Sequence, residues 1–155
     1  MIKLADEEDI HTVHQLMLEA FEEYRNLDVP SSALNETVSS IVQSIKSGSE
    51  QAIVCMVDDV PVGSARFKLD DHSLYFSRVS VSPQARGKGV AKSMLVWLET
   101  FAKENNKTEM VCKVRMSLPR NMSLYQSLGY GLTKEEIHAN PDGFPVKTAT
   151  MKKRI

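Results

Sequence analysis

The chain has little of what would mark a specialised polymer. Its 155 residues hold two cysteines, Cys55 and Cys112, each inside an apolar run. That excludes a disulfide framework and reads as reduced core thiols. Charge of one sign is also lacking: 19 basic residues stand against 20 acidic ones, for a net charge of −1. Nothing global therefore draws the chain to nucleic acid or an anionic membrane, and any phosphate must be held by a local arrangement. No apolar run approaches the roughly 18 residues of a membrane span. The opening MIKLADEEDIHTVH turns acidic at residue 6, so no signal peptide is expected and the expected compartment is the cytoplasm. His11 and His14 are close only as neighbours on a helix face, with no third ligand at metal spacing, so no metal is expected. Repeats, low-complexity stretches and linkers are missing too. Residues 1–155 are therefore expected to form one globular domain.

What is present is a change of period along the chain. After Ile2 and Leu4, the acidic cluster Asp6 to Asp9 opens a helix, where the positive end of the helix dipole favours acids. Ile10, Val13, Met17, Phe21 and Tyr24 form its apolar stripe. Asp28 to Ser32 breaks it, and a second helix is expected to carry Leu34, Val38, Ile41, Val42 and Ile45 up to Gly48. Strands follow at 52–57, 60–69 and 73–81, joined by Asp58-Asp59 and Asp70-Asp71. In the second, Ala65, Phe67 and Leu69 alternate with Ser64, Arg66 and Lys68, the pattern of a half-buried strand. From Val90 the period returns to helical until Asn105-Asn106. A strand at 109–115, a short helix from Pro119 to Leu128, a strand from Tyr130 and a last one from about Val146 to Met151 complete the order βααβββαβαββ. This predicts an α/β (α+β) fold: a mixed, mostly antiparallel sheet of six or seven strands with helices on both faces. The stretch 73–115 should make a right-handed parallel crossover.

Chemistry points to one segment, Val79-Ser80-Val81-Ser82-Pro83-Gln84-Ala85-Arg86-Gly87-Lys88-Gly89-Val90-Ala91. A strand runs into a loop with two glycines and two cations, and the loop into a helix. Unpaired N–H groups at a helix start, with glycines that let the backbone close around an anion, suit a phosphate. Arg86, Lys88 and Lys92 put formal positive charge at the end where the helix dipole disfavours it. The P-loop pattern fails because Gly89, not a hydroxyl residue, follows Lys88. The dinucleotide fingerprint fails because position 92 is lysine.

Gln84-x-x-Gly87-x-Gly89 followed by Val90-Ala91 resembles the Q/R-x-x-G-x-G/A signature of the GCN5-related N-acetyltransferase superfamily, and the element order is similar over essentially the whole chain. The resemblance implies an acetyl-CoA co-substrate. Its pyrophosphate would rest on the N–H groups from Arg86 to Ala91, and its pantetheine arm on the backbone of Val79 and Val81. Gln84, Arg86, Gly87, Lys88, Gly89, Val90 and Ala91 are thus the expected cofactor-binding loop. The stretch Asn121 to Tyr130 resembles the family's short helix ending Y-x-x-L-G-[FY]. Tyr125 then stands where many members have a tyrosine near the CoA sulfur, able to protonate the departing thiolate; its other reading is a residue packing the helix on the sheet. Where many members carry an asparagine seven residues earlier, this chain has Leu118, and Asn121 is the substitute contact.

The family often supplies a basic glutamate from the strand before V-x-V, but here stand Tyr75-Phe76-Ser77-Arg78. Glu22, Glu23, His138 or a water acting through Ser77 and Arg78 remain as candidates for removing the acceptor's proton. Arg78 and Arg115 should face the acceptor cleft, either favouring an acceptor with a carboxylate or paired to Asp or Glu. Lys152-Lys153-Arg154 reads as a solvated strand end. The expected activity is acetyl transfer to a primary amine of a small molecule or peptide. The expectation includes no nucleic-acid or membrane partner, and a homodimer by family resemblance. The competing reading is a non-catalytic CoA-binding sensor or interaction module of the same fold.

Overall fold

A computed structural model describes residues 1–25, 32–139 and 143–155. The expected break at 28–31 lies outside the described residues. The chain runs β1 (Ile2–Leu4), α1 (Ile10–Phe21), α2 (Val38–Lys46), β2 (Gln51–Val57), β3 (Val60–Leu69), β4 (Ser73–Val81), α3 (Val90–Glu104), β5 (Glu109–Arg115), α4 (Pro119–Ser127), β6 (Gly131–Ala139) and β7 (Pro145–Arg154). The seven strands form one sheet in the order β1-β2-β3-β4-β5-β7-β6. Only β4 and β5 pair in parallel, on either side of the α3 crossover. The expected architecture and element order are therefore those observed. Among the described residues no helix is long and apolar enough to cross a membrane.

Local chemistry explains the elements. Asp6 accepts from the Glu8 N–H and closes a capping box with Asp9, starting a short 3₁₀ turn that leads into α1. Tyr24, expected on α1, falls in a 3₁₀ turn just after it. Leu34 likewise lies in a 3₁₀ turn at Ser32–Asn35, because Thr37 accepts from the Ser40 N–H and caps a new helix there. His14, considered above as a ligand, instead bonds the backbone oxygen of Glu36 at 2.8 Å and ties α1 to the segment before α2. The β2–β3 hairpin turns on Asp58 and Asp59, both with positive φ (52° and 63°), as a two-residue type I′ connection requires.

The sheet is covered on both faces. Ile53, Ala65, Phe67, Leu74 and Phe76 pack against Met94, Leu95 and Leu98 of α3. On the other side Ala52 and Val54 meet Val13 of α1, and Ile10 and Met17 meet Ile41 of α2. The half-buried reading of β3 is thereby corrected. Ser64 and Arg66 are 1% and 5% exposed, because α1 and α2 lie over the face that the polar residues occupy. Gly63 lets α3 approach: a Cβ there would stand 2.8 Å from Cγ1 of Val90. The basic C-terminus is the strand end expected of it: Lys152 to Arg154 close β7, with Lys152 near Glu109 (3.6 Å), Lys153 bonded to Glu99 (2.8 Å) and Arg154 exposed.

Candidate active site

The site begins where two strands part. β4 and β5 pair at Ser73↔Glu109, Leu74↔Met110 and Tyr75↔Val111, and their recorded pairing stops there. On its other side β4 carries an extra residue. Ser64↔Ser80 and Arg66↔Ser77 enclose two steps on β3 but three on β4, a bulge at which Arg78 takes φ +52°. Ser82 donates to the Val62 carbonyl at 2.8 Å, so by alternation the N–H of Val81 points away from β3 and into the gap. The gap opens into a cleft of about 860 Å³, lined by β4, β5, α4, the end of α1 and the start of α3.

The glycine loop is built as its sequence suggests. Gly87 and Gly89 have φ of +77° and +78°, a region that costs most other residues strain. Gly89 is the residue before the first turn of α3, and no atom lies within 4 Å of a Cβ built on either glycine. The backbone there is thus open to a ligand. Val79, Val81, Arg86, Gly87, Gly89, Val90, Ala91, Asn121 and Tyr125 all line the cleft; Gln84 and Lys88 do not. The Gln84 side chain instead accepts from the Ser82 hydroxyl at 2.5 Å. Nor does the Arg86 guanidinium point to an anion site. It donates to Glu23 at 2.7 Å and to the Ala20 carbonyl at 3.1 Å, holding the loop against the end of α1.

Tyr125 lies at the cleft floor, 8% exposed, in edge contact with Phe76 and Tyr130 at centroid distances of 5.7 and 5.9 Å. Burial, with Cys112 and Tyr24 adding to it, holds its phenol well above the ordinary range, so it stays protonated. Cys112 shares the cleft, and burial pushes its thiol up to about 12. A thiol so raised is a poor nucleophile at neutral pH.

The charges come next. Glu22 is exposed and paired to Arg25 at 2.6 Å, away from the lining. Glu23 does line the cleft. Its partial burial would raise its carboxyl, but the hydrogen bond from Arg86 and the charges of Arg86 and Arg120 hold it below the usual range. His138, Ser77, Arg78 and Arg115 also line the cleft. Arg78 is paired: its Nε donates to Glu36 at 2.7 Å, and Glu36 also accepts from Arg66 at 2.6 and 2.7 Å. Arg66 Nε faces Glu50 at 3.4 Å. Burial works against the Glu36 carboxylate too, yet the two arginines keep it low, whereas burial prevails at Glu50 and raises it. Among the described residues no three His, Cys, Asp or Glu side chains group as a metal site.

Sequence reasoning missed the part played by Arg66, Glu36 and Glu50. Arg66 sat in an alternating strand as a solvent-facing residue, and the two acids sat near helix ends where acids are ordinary. The one available signal was the cation's place in a strand between two stretches with amphipathic helical periodicity.

The comparisons agree with this geometry. The profile of the acetyltransferase (GNAT) family matches residues 10–130. No curated protein matches the sequence. Among solved structures, the chain is similar to the ribosomal-protein-alanine N-acetyltransferase of Brucella melitensis (TM-score 0.79, 19% identity, covering 100% of this chain and 99% of that one). It is also similar to yncA, a putative acetyltransferase of Salmonella typhimurium solved with acetyl-CoA (0.76, 19%, 99% and 92%). A variant of spermidine N-acetyltransferase SpeG from Vibrio cholerae matches at 0.75 and 17% identity, over 99% and 94%. With its signature loop, parted strands and element order, the chain belongs to the acetyltransferase (GNAT) family and is an N-acetyltransferase.

Proposed function

We propose that the chain transfers acetyl directly from acetyl-CoA to a primary amine of a small molecule or peptide. One observation carries the reading: a loop of open backbone, an unpaired strand edge and a buried protonated phenol meet in a single cleft. Acetyl-CoA, when bound, supplies an activated acetyl thioester. The residues present fit it. The N–H groups from Arg86 to Ala91 would hold its diphosphate at the start of α3, where the left-handed glycines leave room. The β4 edge at Val79 and Val81 would take its amide-bearing arm. Gln84, bonded to the Ser82 hydroxyl, would shape the loop, and Lys88, exposed between the two glycines, would offer its charge to the diphosphate. Asn121, in the first half of α4, would contact it from the opposite wall.

The chain's own groups then act in order. The Val81 N–H, aimed into the gap, donates to the oxygen on which negative charge develops. Tyr125, kept protonated by burial, delivers its proton to the leaving sulfur. For the acceptor's proton the facing groups are His138 and a water held by Ser77 and Arg78. Glu23, the one described carboxylate in the lining, and Glu36, bonded to Arg78, are committed to arginines and held low. Neither cysteine suits a covalent acyl carrier.

The test compares ligands and turnover. Acetyl-CoA should raise thermal stability where ATP and NAD do not, by about 2.7 kcal/mol at 100 times its Kd. CoA release should then exceed background with some member of an amine panel. Stabilisation by a nucleotide and not by acetyl-CoA would refute the donor site; acetyl-CoA binding with no release for any amine would mark a non-catalytic module.

A further inference from the structure

We infer that the carboxylate of Glu23 and the diphosphate of acetyl-CoA compete for one guanidinium, that of Arg120, and that this competition sets how tightly the enzyme holds both donor and product. The inference rests on the donor site proposed above. Glu23 lies just past α1, and its two oxygens face opposite walls of the cleft. Oε2 accepts from Arg86 of the glycine loop at 2.7 Å, and Oε1 accepts from Arg120 of α4 at 3.0 Å. All three residues line the cleft, and Glu23 is the one described acid that does.

The two guanidiniums are held unequally. Arg86 also donates to the Ala20 carbonyl at 3.1 Å, and its side chain is 37% exposed. Arg120 has Glu23 as its one acid among the described residues, and its side chain is 76% exposed. Arg86 is the fixed member and Arg120 the one that can turn. Arg120 is also the second residue of α4, at the end where the helix dipole disfavours a cation. Helix stability therefore does not explain it, whereas an anion in the neighbouring cleft does.

The exchange is favourable on general grounds. An exposed ion pair is worth little, because solvent screens it and two long side chains must be ordered to make it. A phosphate takes the guanidinium fork in two parallel hydrogen bonds, stronger together than a single one. Glu23 keeps its bond to Arg86 throughout, so no charge is left without a partner. Its carboxyl is held below the usual range, so it competes as an anion at neutral pH. CoA carries the same diphosphate as acetyl-CoA. Glu23 thus loosens donor and product alike, which favours release of CoA after transfer.

The experiment titrates the full chain with acetyl-CoA and with CoA in a calorimeter. Glu23→Gln keeps the shape and an acceptor oxygen for Arg86 but removes the charge that holds Arg120. It should tighten both ligands about twofold to fivefold, the worth of an exposed ion pair. Arg120→Ala should weaken both about tenfold, and in that background Glu23→Gln should no longer tighten them. A purely structural tie acts with the opposite sign, since freeing the loop from α4 would weaken donor binding. Weaker or unchanged binding in Glu23→Gln would therefore overturn the inference, as would tightening that persists without Arg120. Wild-type affinity in Arg120→Ala would overturn it too. That variant alters a mostly exposed side chain and decides the matter if Glu23→Gln does not fold. Absence of binding by the wild type would instead strike the donor site, and the inference with it.

Discussion

At one end of the cleft a single unbroken run, Ser82 to Ala91, supplies the loop, both left-handed glycines and the start of α3. At the other end Arg66, Arg78, Glu36 and Glu50 come from β3, β4, the stretch before α2 and the residue before β2, and meet only when the sheet is covered. The first end works mainly through backbone groups whose direction is set by φ and ψ. The second works through side chains whose positions depend on three layers packing together. The difference teaches where specificity can drift: a backbone site tolerates few residue types, whereas a lattice of ion pairs can be rewritten one partner at a time.

The sharpest way to break the comparison is at the loop. Gly89→Glu puts a side chain and a negative charge where the diphosphate is proposed to lie, on a backbone with φ +78°. Since no atom lies within 4 Å of a built Cβ, the chain should still fold, with strain of about 1–2 kcal/mol. Stabilisation by acetyl-CoA should vanish. A variant that still gains the wild-type thermal shift would remove the loop from the donor site.

Tyr125→Phe comes next in size. It should lower kcat by about 10² to 10⁴ with acetyl-CoA affinity little changed, since the ring keeps its contacts with Phe76 and Tyr130. Equal kcat for the two proteins would leave Tyr125 as a packing residue, the other reading of its sequence position.

These two predictions act on residues that local sequence made visible, and the reason is physical. Gly87, Gly89 and Tyr125 lie in motifs whose function needs a fixed residue type at a fixed spacing, so a run of one strand, one loop and one helix exposes them. The element order was legible for the same cause, since helical and strand periods alternate cleanly from Ile10 to Met151. What local sequence hid depends on distant partners. Arg66 reads as a solvent-facing strand residue until α1 and α2 are seen to cover it. Arg86 reads as a phosphate ligand until Glu23, far earlier in the chain, is found holding it. The bulge at Arg78 has no glycine to announce it, and its register slip appears only in the pairing with β3.

The acceptor end can be tested as a lattice. Glu36→Gln leaves Arg66, 5% exposed, without its main countercharge, and should cost on the order of 3 kcal/mol at pH 7. The pH dependence has a defined sign. The folded pKa of Glu36 lies below its ordinary 4.5, so the stability it gives is full above that value and is lost as pH falls through the folded pKa. The gap between wild type and variant in urea denaturation should therefore close below about pH 4.5. A gap that stays constant down to pH 3 would show that Glu36 acts through packing, not charge.

Glu50→Gln should have the smallest effect, and of opposite sign. Burial raises the Glu50 carboxyl despite the attraction of Arg66, so its ionised form is the one that folding disfavours. Its contribution is favourable below the ordinary 4.5 and is lost as pH rises through the raised folded value. Glutamine mimics the protonated form in shape. At pH 7 the variant should match or exceed wild type by less than about 1 kcal/mol, and at pH 4 the two should coincide. A loss above about 1 kcal/mol at pH 7 would mean that Arg66 needs both carboxylates. The charge backing the acceptor wall would then be shared between Glu36 and Glu50 rather than carried by Glu36.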